Sequence, residues 1–447
     1  MSSGATDRLI DVAEQVNAST ASGDPLAVAR HCLLDWLGCT LGARDEPLAC
    51  YLADELAGSG PPEASLIGRG ERIRARDAAL VNGATSHALD YDDTHMLMSG
   101  HPSVPVIPAA LAVAERDQRS GLDLLLAIIA GVEVECRLGA LMNPAHYMAG
   151  WHATGTHGCF GAAVATGHLL QLDRHQWRHA FGLAGTQAAG LKSGFGTMAK
   201  PLHAGKAASD GLLAASLAQR GFTANEKVIE AKLGLFHTQA PGVDQIDLSR
   251  LDAVEDHWCI ADTLFKYHAA CYLTHSAIEA ALDLRAQGVE AGDVDLVELR
   301  VDPASLDSCG ISEPATALEA KFSLRGTVAM ALLGDDMSDG ASYSAERITS
   351  DEVTALRDRI EVVPTAGIVG THSQVALADR TGQRHEASVD VGQPAVDLDA
   401  QWSKLSAKFG ALVSPVLGAD RAKDLLIAVE QLDASTQVAD FVELCRG

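Results

Sequence analysis

Aromatic residues are scarce in this 447-residue chain, which must build its core from small aliphatic side chains. They make up 4% of the sequence, whereas hydrophobic residues as a whole make up 47%. Alanine, leucine and valine at such density favour closely packed helices. The 21% of charged residues is ordinary and no tract is low in complexity, so the sequence does not predict disorder.

Closely spaced cysteine pairs are also lacking. The nine cysteines are an odd number, and no CxxC pair occurs among them. This pattern argues against a disulfide framework or a zinc ribbon, and it predicts reduced thiols in a cytoplasmic protein.

No hydrophobic run is long enough to predict a membrane span. The best candidate, residues 122–134, is too short and carries Asp123 and Glu133 near its ends, so a buried helix is expected. The N-terminal segment 1–16 is polar and has no apolar signal core.

Positive charge is in deficit. Lysine and arginine number 34 against 59 acidic residues, for a net charge of −25. This balance argues against nucleic acid or an anionic membrane as a partner. An enzyme for anionic substrates would need histidine, lysine and arginine gathered locally against this overall field.

Two patterns divide the chain. Up to about residue 266, and again from about 400, apolar residues recur at helical spacing; Thr6 and Asp7 can cap the first helix. Between these regions, Val294–Val301 alternates as a half-buried strand with one slip at Val297. Residues 374–389 predict a hairpin with Thr381 and Gly382 in its turn, while helix-like patterns cover 321–333 and 350–360.

We therefore predict a mainly α chain. A large all-α helical-bundle domain would be formed by both chain ends, residues 1–266 and 400–447, with an inserted smaller α+β domain at 267–399.

Four polar clusters carry residues suited to chemistry. They are residues 82–94 with His101, residues 147–157, residues 196–206 and residues 265–268. In the first cluster, Asp90, Asp92 and Asp93 would repel one another unless each had a partner. They either cap the next helix and fix the loop, or orient histidines and polarise a substrate hydroxyl. His101 precedes a proline-containing helix start, where backbone N–H groups favour an anion.

The other clusters add histidine, tyrosine and lysine. Tyr147 and His152 flank a glycine turn before an alanine-rich helix, and Lys200 lies between glycine and proline before a small-residue helix. The latter arrangement is typical of an anion cradle, although the Walker spacing is absent. Lys266 and His268 lie where the pattern changes. The alternative interpretation is a set of structural histidines, solvated cations and an ordinary polar domain edge.

Together these clusters resemble the MmgE/PrpD family, which includes 2-methylcitrate dehydratase, cis-aconitate decarboxylase and iminodisuccinate epimerase. The resemblance rests on five segments in the family's order and covers roughly residues 5 to 430. The segments are NGATSHALDYDDTHMLMSGHPSVPVIPAALAVAE, WHATGTHGCFGAA, KPLHAGKAASDGLLAASLAQRGFTA, KYHAACYLTHSAIEAAL and AKFSLRGTVAMALL.

The resemblance implies an active site in a cleft between the two domains, homodimers, and catalysis with neither metal nor organic cofactor. The family's functional positions fall on Asp90, Thr94, His101, His152, Lys200 and Lys266. One departure concerns the decarboxylase branch: its tyrosine in the last segment aligns best with Gly326. This departure places cis-aconitate decarboxylation behind the other two reactions.

The expected shared step is removal of a proton next to a carboxylate of a small di- or tricarboxylic acid, which requires concentrated positive charge. We expect His152, with Tyr147 or His101, to transfer protons. Lys200 and Lys266 would hold carboxylates, Asp90 and Thr94 would orient the imidazoles or the substrate, and His268 would assist in substrate binding. Epimerisation ranks first, dehydration second and decarboxylation third.

Two rival functions remain open. A metal-dependent hydrolase could use His87, Asp90, Asp92, Asp93 and His95, whose residue types suit manganese or iron but whose spacing matches no ligand motif. The chain could also be a binding protein without catalytic activity, since a fold does not guarantee a reaction.

Overall fold

The computed structural model describes residues 4–254, 256–380 and 382–447, and its secondary structure is mainly helical, as predicted. In chain order the α-helices are α1 (Ala5–Gln15), α2 (Asp24–Gly42), α3 (Pro47–Glu55), α4 (Ala75–Ser86), α5 (Ser103–Arg116), α6 (Gly121–Met142), α7 (Ala145–Met148), α8 (Ala153–Leu169), α9 (Arg174–Gly185), α10 (Ala199–Gln219), α11 (Leu235–Gln239), α12 (Ser249–Asp252), α13 (His275–Ala286), α14 (Ser305–Cys309), α15 (Ala317–Ala320), α16 (Leu324–Leu333), α17 (Ala345–Ile348), α18 (Asp351–Arg357), α19 (Leu398–Leu417), α20 (Ala419–Glu430) and α21 (Val438–Leu444). The strands are β1 (Ala64–Ser65), β2 (Arg72–Ile73), β3 (Val294–Val301), β4 (Ile360–Pro364), β5 (His372–Asp379) and β6 (Arg384–Asp390).

Contacts within the chain group it into two compact units. The larger unit comprises Met1–Ala88, Asp92–Phe265 and Pro394–Gly447, and the smaller comprises Leu89–Tyr91 and Lys266–Gln393. Both ends of the chain therefore contribute helices to the larger unit. The division into separately folding domains stays a prediction.

Glycines allow the central helices of the larger unit to approach closely. Helix α8 packs against α5, α6 and α10, and α10 also packs against α4. At the α4–α10 crossing, a Cβ atom added to Gly83 would lie 2.9 Å from the Cα atom of Gly205 and 3.1 Å from the Val104 carbonyl oxygen. Only glycine fits at this crossing without a shift of the backbone.

A buried ion pair joins two helices of the larger unit that come from opposite ends of the chain. Helix α19 packs against α2, and Lys408 Nζ lies 2.6 Å from Asp35 Oδ1 with both side chains buried. Burial alone would lower the pKa of Lys408, but the neighbouring Asp35 carboxylate raises it above its usual value. Removing either partner would leave an uncompensated buried charge, which is strongly destabilising.

The smaller unit contains a four-stranded mixed sheet in the order β4-β3-β5-β6, with α13 packed on β5 and β6. Strand β3 has the predicted bounds, and its irregular alternation has a physical cause. A β-bulge lies between Val294 and Leu296, so Leu296 is 50% exposed whereas Val297 is buried. The predicted hairpin forms from β5 and β6, and Thr381 of its turn lies outside the described residues.

Three local predictions were wrong. The larger unit is not all-α, because β1 and β2 form an antiparallel ribbon whose two-residue strands are too short to show alternation. Strand β4 begins at Ile360, where the helical pattern was expected to end. Thr6 and Asp7 lie inside α1, which begins at Ala5, instead of capping it. Among the described residues, no helix is both long and apolar enough to cross a membrane.

Candidate active site

Histidines from three segments of the larger unit pack together near the ends of three helices. His87 follows α4, His101 lies two residues before α5, and His152 is the N-cap residue of α8. The ring centroid of His87 lies 4.6 Å from that of His101 and 6.0 Å from that of His152. We call His87, Asp92, His101, His152, Lys200 and His203 the histidine cluster.

Asp92 holds two of these imidazoles in place. Its carboxylate lies 2.9 Å from His87 Nδ1 and 3.2 Å from His101 Nδ1. Burial alone would raise the pKa of Asp92, but the two histidines hold it well below its usual range, so the carboxylate stays ionised. An ionised carboxylate accepts hydrogen bonds only, so each imidazole donates through Nδ1–H.

This hydrogen bonding leaves the other ring nitrogen of each histidine as a proton acceptor. His101 Nδ1 is also 2.7 Å from the Asp93 backbone oxygen, which reinforces the same tautomer. His87 Nε2 is buried without a hydrogen-bond partner among the described residues. Burial, together with Lys200 and His101, lowers the pKa of His87 to about 4. His87 is therefore neutral at neutral pH.

His152 forms a pair with His203. Their Nδ1 atoms are 3.1 Å apart, so one ring donates a hydrogen bond to the other. His152 Nε2 is buried and makes no hydrogen bond within the described part of the chain. Burial first, then Lys200 and the neighbouring histidines, hold the pKa of His152 well below its usual value. When His152 is the donor of this pair through Nδ1–H, its Nε2 carries the lone pair and can accept a proton.

Lys200 supplies the local positive charge. It is the second residue of α10 and is buried, with Nζ 5.3 Å from the centroid of the Phe195 ring. Its ammonium group contributes to the lowered pKa of both His87 and His152. The N-terminal ends of α8 and α10 add positive dipole ends. The histidine cluster thus opposes the overall negative charge of the chain.

Asp93 fixes the start of the next helix, which is the structural role considered above for the three neighbouring aspartates. Its carboxyl oxygens accept hydrogen bonds from the backbone N–H of Ser103 at 3.2 Å and from the Ser103 hydroxyl at 2.5 Å. Ser103 is the first residue of α5, so Asp93 fixes that helix start. Burial, followed by the charges of Asp35 and Asp92, raises the pKa of Asp93 to about 8.

In the smaller unit, Lys266 and Asp90 form a buried pair. Lys266 Nζ donates to the Asp90 backbone oxygen at 2.6 Å and lies 3.4 Å from Asp90 Oδ1. Asp90 has a φ of +53°, a left-handed conformation that aspartate adopts more readily than most residues. Lys266 stabilises this conformation because it contacts both the backbone oxygen and the side chain of Asp90.

His268, also in the smaller unit, is oriented by Glu279. Its Nε2 atom lies 2.8 Å from Glu279 Oε1, and its Nδ1 atom is buried without a hydrogen-bond partner among the described residues. The substrate-binding roles of Asp90, Lys266 and His268 stay predictions.

Thr94 and Tyr147 have contacts of their own. Thr94 pairs its backbone with Leu264, and its hydroxyl donates to the Gly100 carbonyl oxygen at 3.1 Å. Thr94 thus fixes the loop that leads to His101. The Tyr147 ring lies under the Lys192 ammonium group, 3.6 Å from Nζ. Proton transfer by Tyr147 stays a prediction.

The sequence did not predict that two residues of the histidine cluster, His87 and His203, would lie beside the expected catalytic residues. His87 was considered only as a metal ligand, and His203 was noted only as part of a motif. A usable signal existed for His203, because it lies three residues after Lys200 on α10 and therefore on the same helix face.

The side chains that lie close enough together to bind a metal ion differ from those expected from the sequence. Ligand atoms of His87, Asp92 and His101 all lie within 4.8 Å of one another, which is close enough to hold an ion. His95, in contrast, places Nε2 2.8 Å from the Cys259 carbonyl oxygen, and Asp93 is engaged by Ser103.

Comparison with known proteins decides the family. The model of the MmgE/PrpD N-terminal domain matches residues 7–245, and that of the MmgE/PrpD C-terminal domain matches residues 268–434. The chain belongs to the MmgE/PrpD family. The names of its relatives in that family describe enzymes that act on small carboxylic acids.

Three family members illustrate the range. Cis-aconitate decarboxylase of Aspergillus terreus is 26% identical, with 99% of this chain and 96% of the relative covered. Cis-aconitate decarboxylase of Homo sapiens is 29% identical, with 84% and 80% covered. The 2-methylcitrate dehydratase of Salmonella typhimurium is 26% identical, with 79% and 76% covered.

Proposed function

We propose that the chain is a cofactor-independent enzyme that removes a proton α to a carboxylate of a small di- or tricarboxylic acid, with epimerisation as its reaction. One observation carries this proposal: His152 is a buried, neutral imidazole with an unengaged Nε2 atom, in the electrostatic field of the Lys200 ammonium group. A neutral base beside a fixed cation is the combination that α-proton removal requires.

In the proposed mechanism, Lys200 binds the substrate carboxylate and stabilises the charge that develops on it. The C–H bond breaks, the proton moves to His152 Nε2, and the electron pair enters the aci-carboxylate. A second proton carrier then protonates the same carbon from the opposite side. We assign that step to His101: its Nδ1–H would stay bound to the Asp92 carboxylate at 3.2 Å while Nε2, once it carries a proton, delivers that proton to the carbon. Tyr147 remains the alternative partner of His152.

Epimerisation ranks first because His152 with His101 or Tyr147 could supply the two proton carriers that inversion at one carbon needs. Gly326 counts against decarboxylation. A Cβ atom added there would lie 3.0 Å from both Ile348 Cδ1 and Ser323 Oγ, so the tyrosine of the decarboxylase branch would fit at this position of α16 only if both side chains moved. Dehydration is the second candidate and is favoured by the similarity to 2-methylcitrate dehydratases. Decarboxylation stays third, although relatives named cis-aconitate decarboxylase match nearly the whole chain.

Several finer points belong to the same proposal. Asp90, Thr94, Lys266 and His268 would bind or orient the substrate. The smaller unit would be an α+β domain inserted in the helical one, and the active form would be a cytoplasmic homodimer.

The experiment is a substrate panel with metal analysis. Purified protein is incubated with 2-methylcitrate, cis-aconitate and single stereoisomers of iminodisuccinate, and products are identified by NMR. Equilibration of iminodisuccinate stereoisomers supports the proposal, and an alkene from 2-methylcitrate would replace it with dehydration. Turnover that disappears on metal removal and returns with manganese or iron would contradict the cofactor-independent mechanism and favour a metal-dependent enzyme instead.

A further inference from the structure

A second group of potential ligands lies at the start of α9, apart from the histidine cluster. His175 and His179 are four residues apart on this helix and therefore share one face. Glu226 belongs to the segment that follows α10, and its carboxylate lies with the two imidazoles such that all three ligand atoms are within 4.8 Å of one another. All three residues belong to the larger unit.

The spacing of the two imidazoles suits a tetrahedral ion. His175 Nε2 and His179 Nε2 are 3.3 Å apart. Two nitrogens, each about 2.0–2.1 Å from zinc in tetrahedral geometry, are roughly 3.3 Å from one another. The two ring planes are at 89° in an edge arrangement, so the imidazoles do not stack.

The tautomer of His179 can be set by the neighbouring backbone. His179 Nδ1 lies 3.2 Å from both the carbonyl oxygen and the backbone nitrogen of Ala224, so this residue holds the ring in place. When Nδ1–H donates to the carbonyl oxygen, the lone pair lies on Nε2, facing His175. Histidine ligands of metals characteristically donate their other N–H to a carbonyl or carboxylate.

Ala224 and Glu226 lie two residues apart, so one segment can supply both the orienting carbonyl and the third ligand. His179 is buried and contacts the Ala224 backbone, whereas His175 and Glu226 are exposed. The net charge of −25 raises the local concentration of cations.

We propose that His175, His179 and Glu226 form a binding site for a divalent transition-metal ion of the zinc class, with a fourth position open to water. The ion would join the first two turns of α9 to the segment around residue 226. This site is separate from the proposed chemistry and does not depend on it. Its expected effect is stabilisation, because an ion that binds only the folded chain raises the unfolding temperature.

The test is titration of the chelator-treated full chain with zinc chloride, followed by calorimetry and thermal unfolding. We expect one zinc ion per chain and a higher unfolding temperature in the wild type. His175→Ala and Glu226→Gln change exposed side chains and should weaken binding at least tenfold. The matched control is His237→Ala, an exposed histidine on α11, which should bind zinc as the wild type does.

Two outcomes would overturn the proposal. One is a wild type that binds no zinc. The other is zinc binding that survives in His175→Ala but is lost in Asp92→Asn, because the ion would then lie in the histidine cluster. Substitution with cobalt adds a spectroscopic measurement: a tetrahedral absorption spectrum in the wild type and its loss in His175→Ala are expected.

Discussion

Replacing Lys200 by methionine removes one ammonium group while it keeps a long side chain in a buried position. Two unit charges about 4 Å apart interact by about 4 kcal/mol at an effective dielectric constant of 20. Part of this energy is already present when the substrate binds. We therefore expect a loss of about 3 kcal/mol in transition-state stabilisation, or roughly a hundredfold in kcat/KM. Lys200→Ala should lose most activity as well while the protein stays folded.

The same substitution should change the pH dependence. Burial and Lys200 hold the pKa of His152 below its usual value. Without the ammonium group that pKa rises, so the base becomes protonated at a higher pH. The acid limb of the kcat/KM profile should therefore move to higher pH in Lys200→Met.

The assay is α-proton exchange or turnover of the substrate that the panel identifies, measured across pH with folding checked by circular dichroism. Lys423→Ala is the control, since it removes one positive charge from the exposed surface of α20. The control should keep wild-type kinetics and pH dependence. Wild-type turnover in a folded Lys200→Met protein would refute the assignment, and so would an equal loss in Lys423→Ala.

Three further substitutions test other parts of the account. Asp92→Asn should lower kcat by about a hundredfold or more, with little change in KM and an altered pH profile. The reason is that the carboxylate that orients the His101 imidazole and carries a negative charge beside it is lost. An unchanged pH profile would show that Asp92 has only a structural role. Asp93→Asn should stabilise the protein more at pH 8 than at pH 5. The pKa of Asp93 is about 8 in the folded state and lower in the unfolded state, so the stability of the wild type falls as pH rises between these two values, by at most about 1.4 kcal/mol per pH unit. Equal effects at both pH values in thermal melts would contradict this. Gly205→Ala should lower the stability by about 1–3 kcal/mol, since the new methyl group would collide with the Leu80 carbonyl oxygen across the α4–α10 crossing; an unchanged urea midpoint would argue against that close contact.

Sequence patterns predicted long elements better than short ones. The bounds of β3 were predicted because eight residues show clear alternation, and the bulge beside Leu296 explains the slip in that pattern. The β1–β2 ribbon was missed because two-residue strands have no period. Strand β4 was missed because the alternating pattern of IEVVP is short and follows a helix directly.

The histidine cluster could be predicted only in part. His101, His152 and Lys200 stood out because they lie beside helix starts or glycine turns in the sequence. The role of Asp92 could not be deduced, because three neighbouring aspartates look alike until the fold gives each a different partner. Asp92 contacts two histidines and Asp93 contacts Ser103, whereas Asp90 belongs with Lys266 in the smaller unit.

The most direct test of the proposed chemistry is proton NMR of a single iminodisuccinate stereoisomer in D₂O with chelator-treated enzyme. We predict that the other stereoisomers form and carry deuterium at the inverted carbon, at a rate that falls at least a hundredfold in Lys200→Met. Inversion without deuterium incorporation, or release of carbon dioxide from cis-aconitate with no exchange of iminodisuccinate, would contradict the proposal.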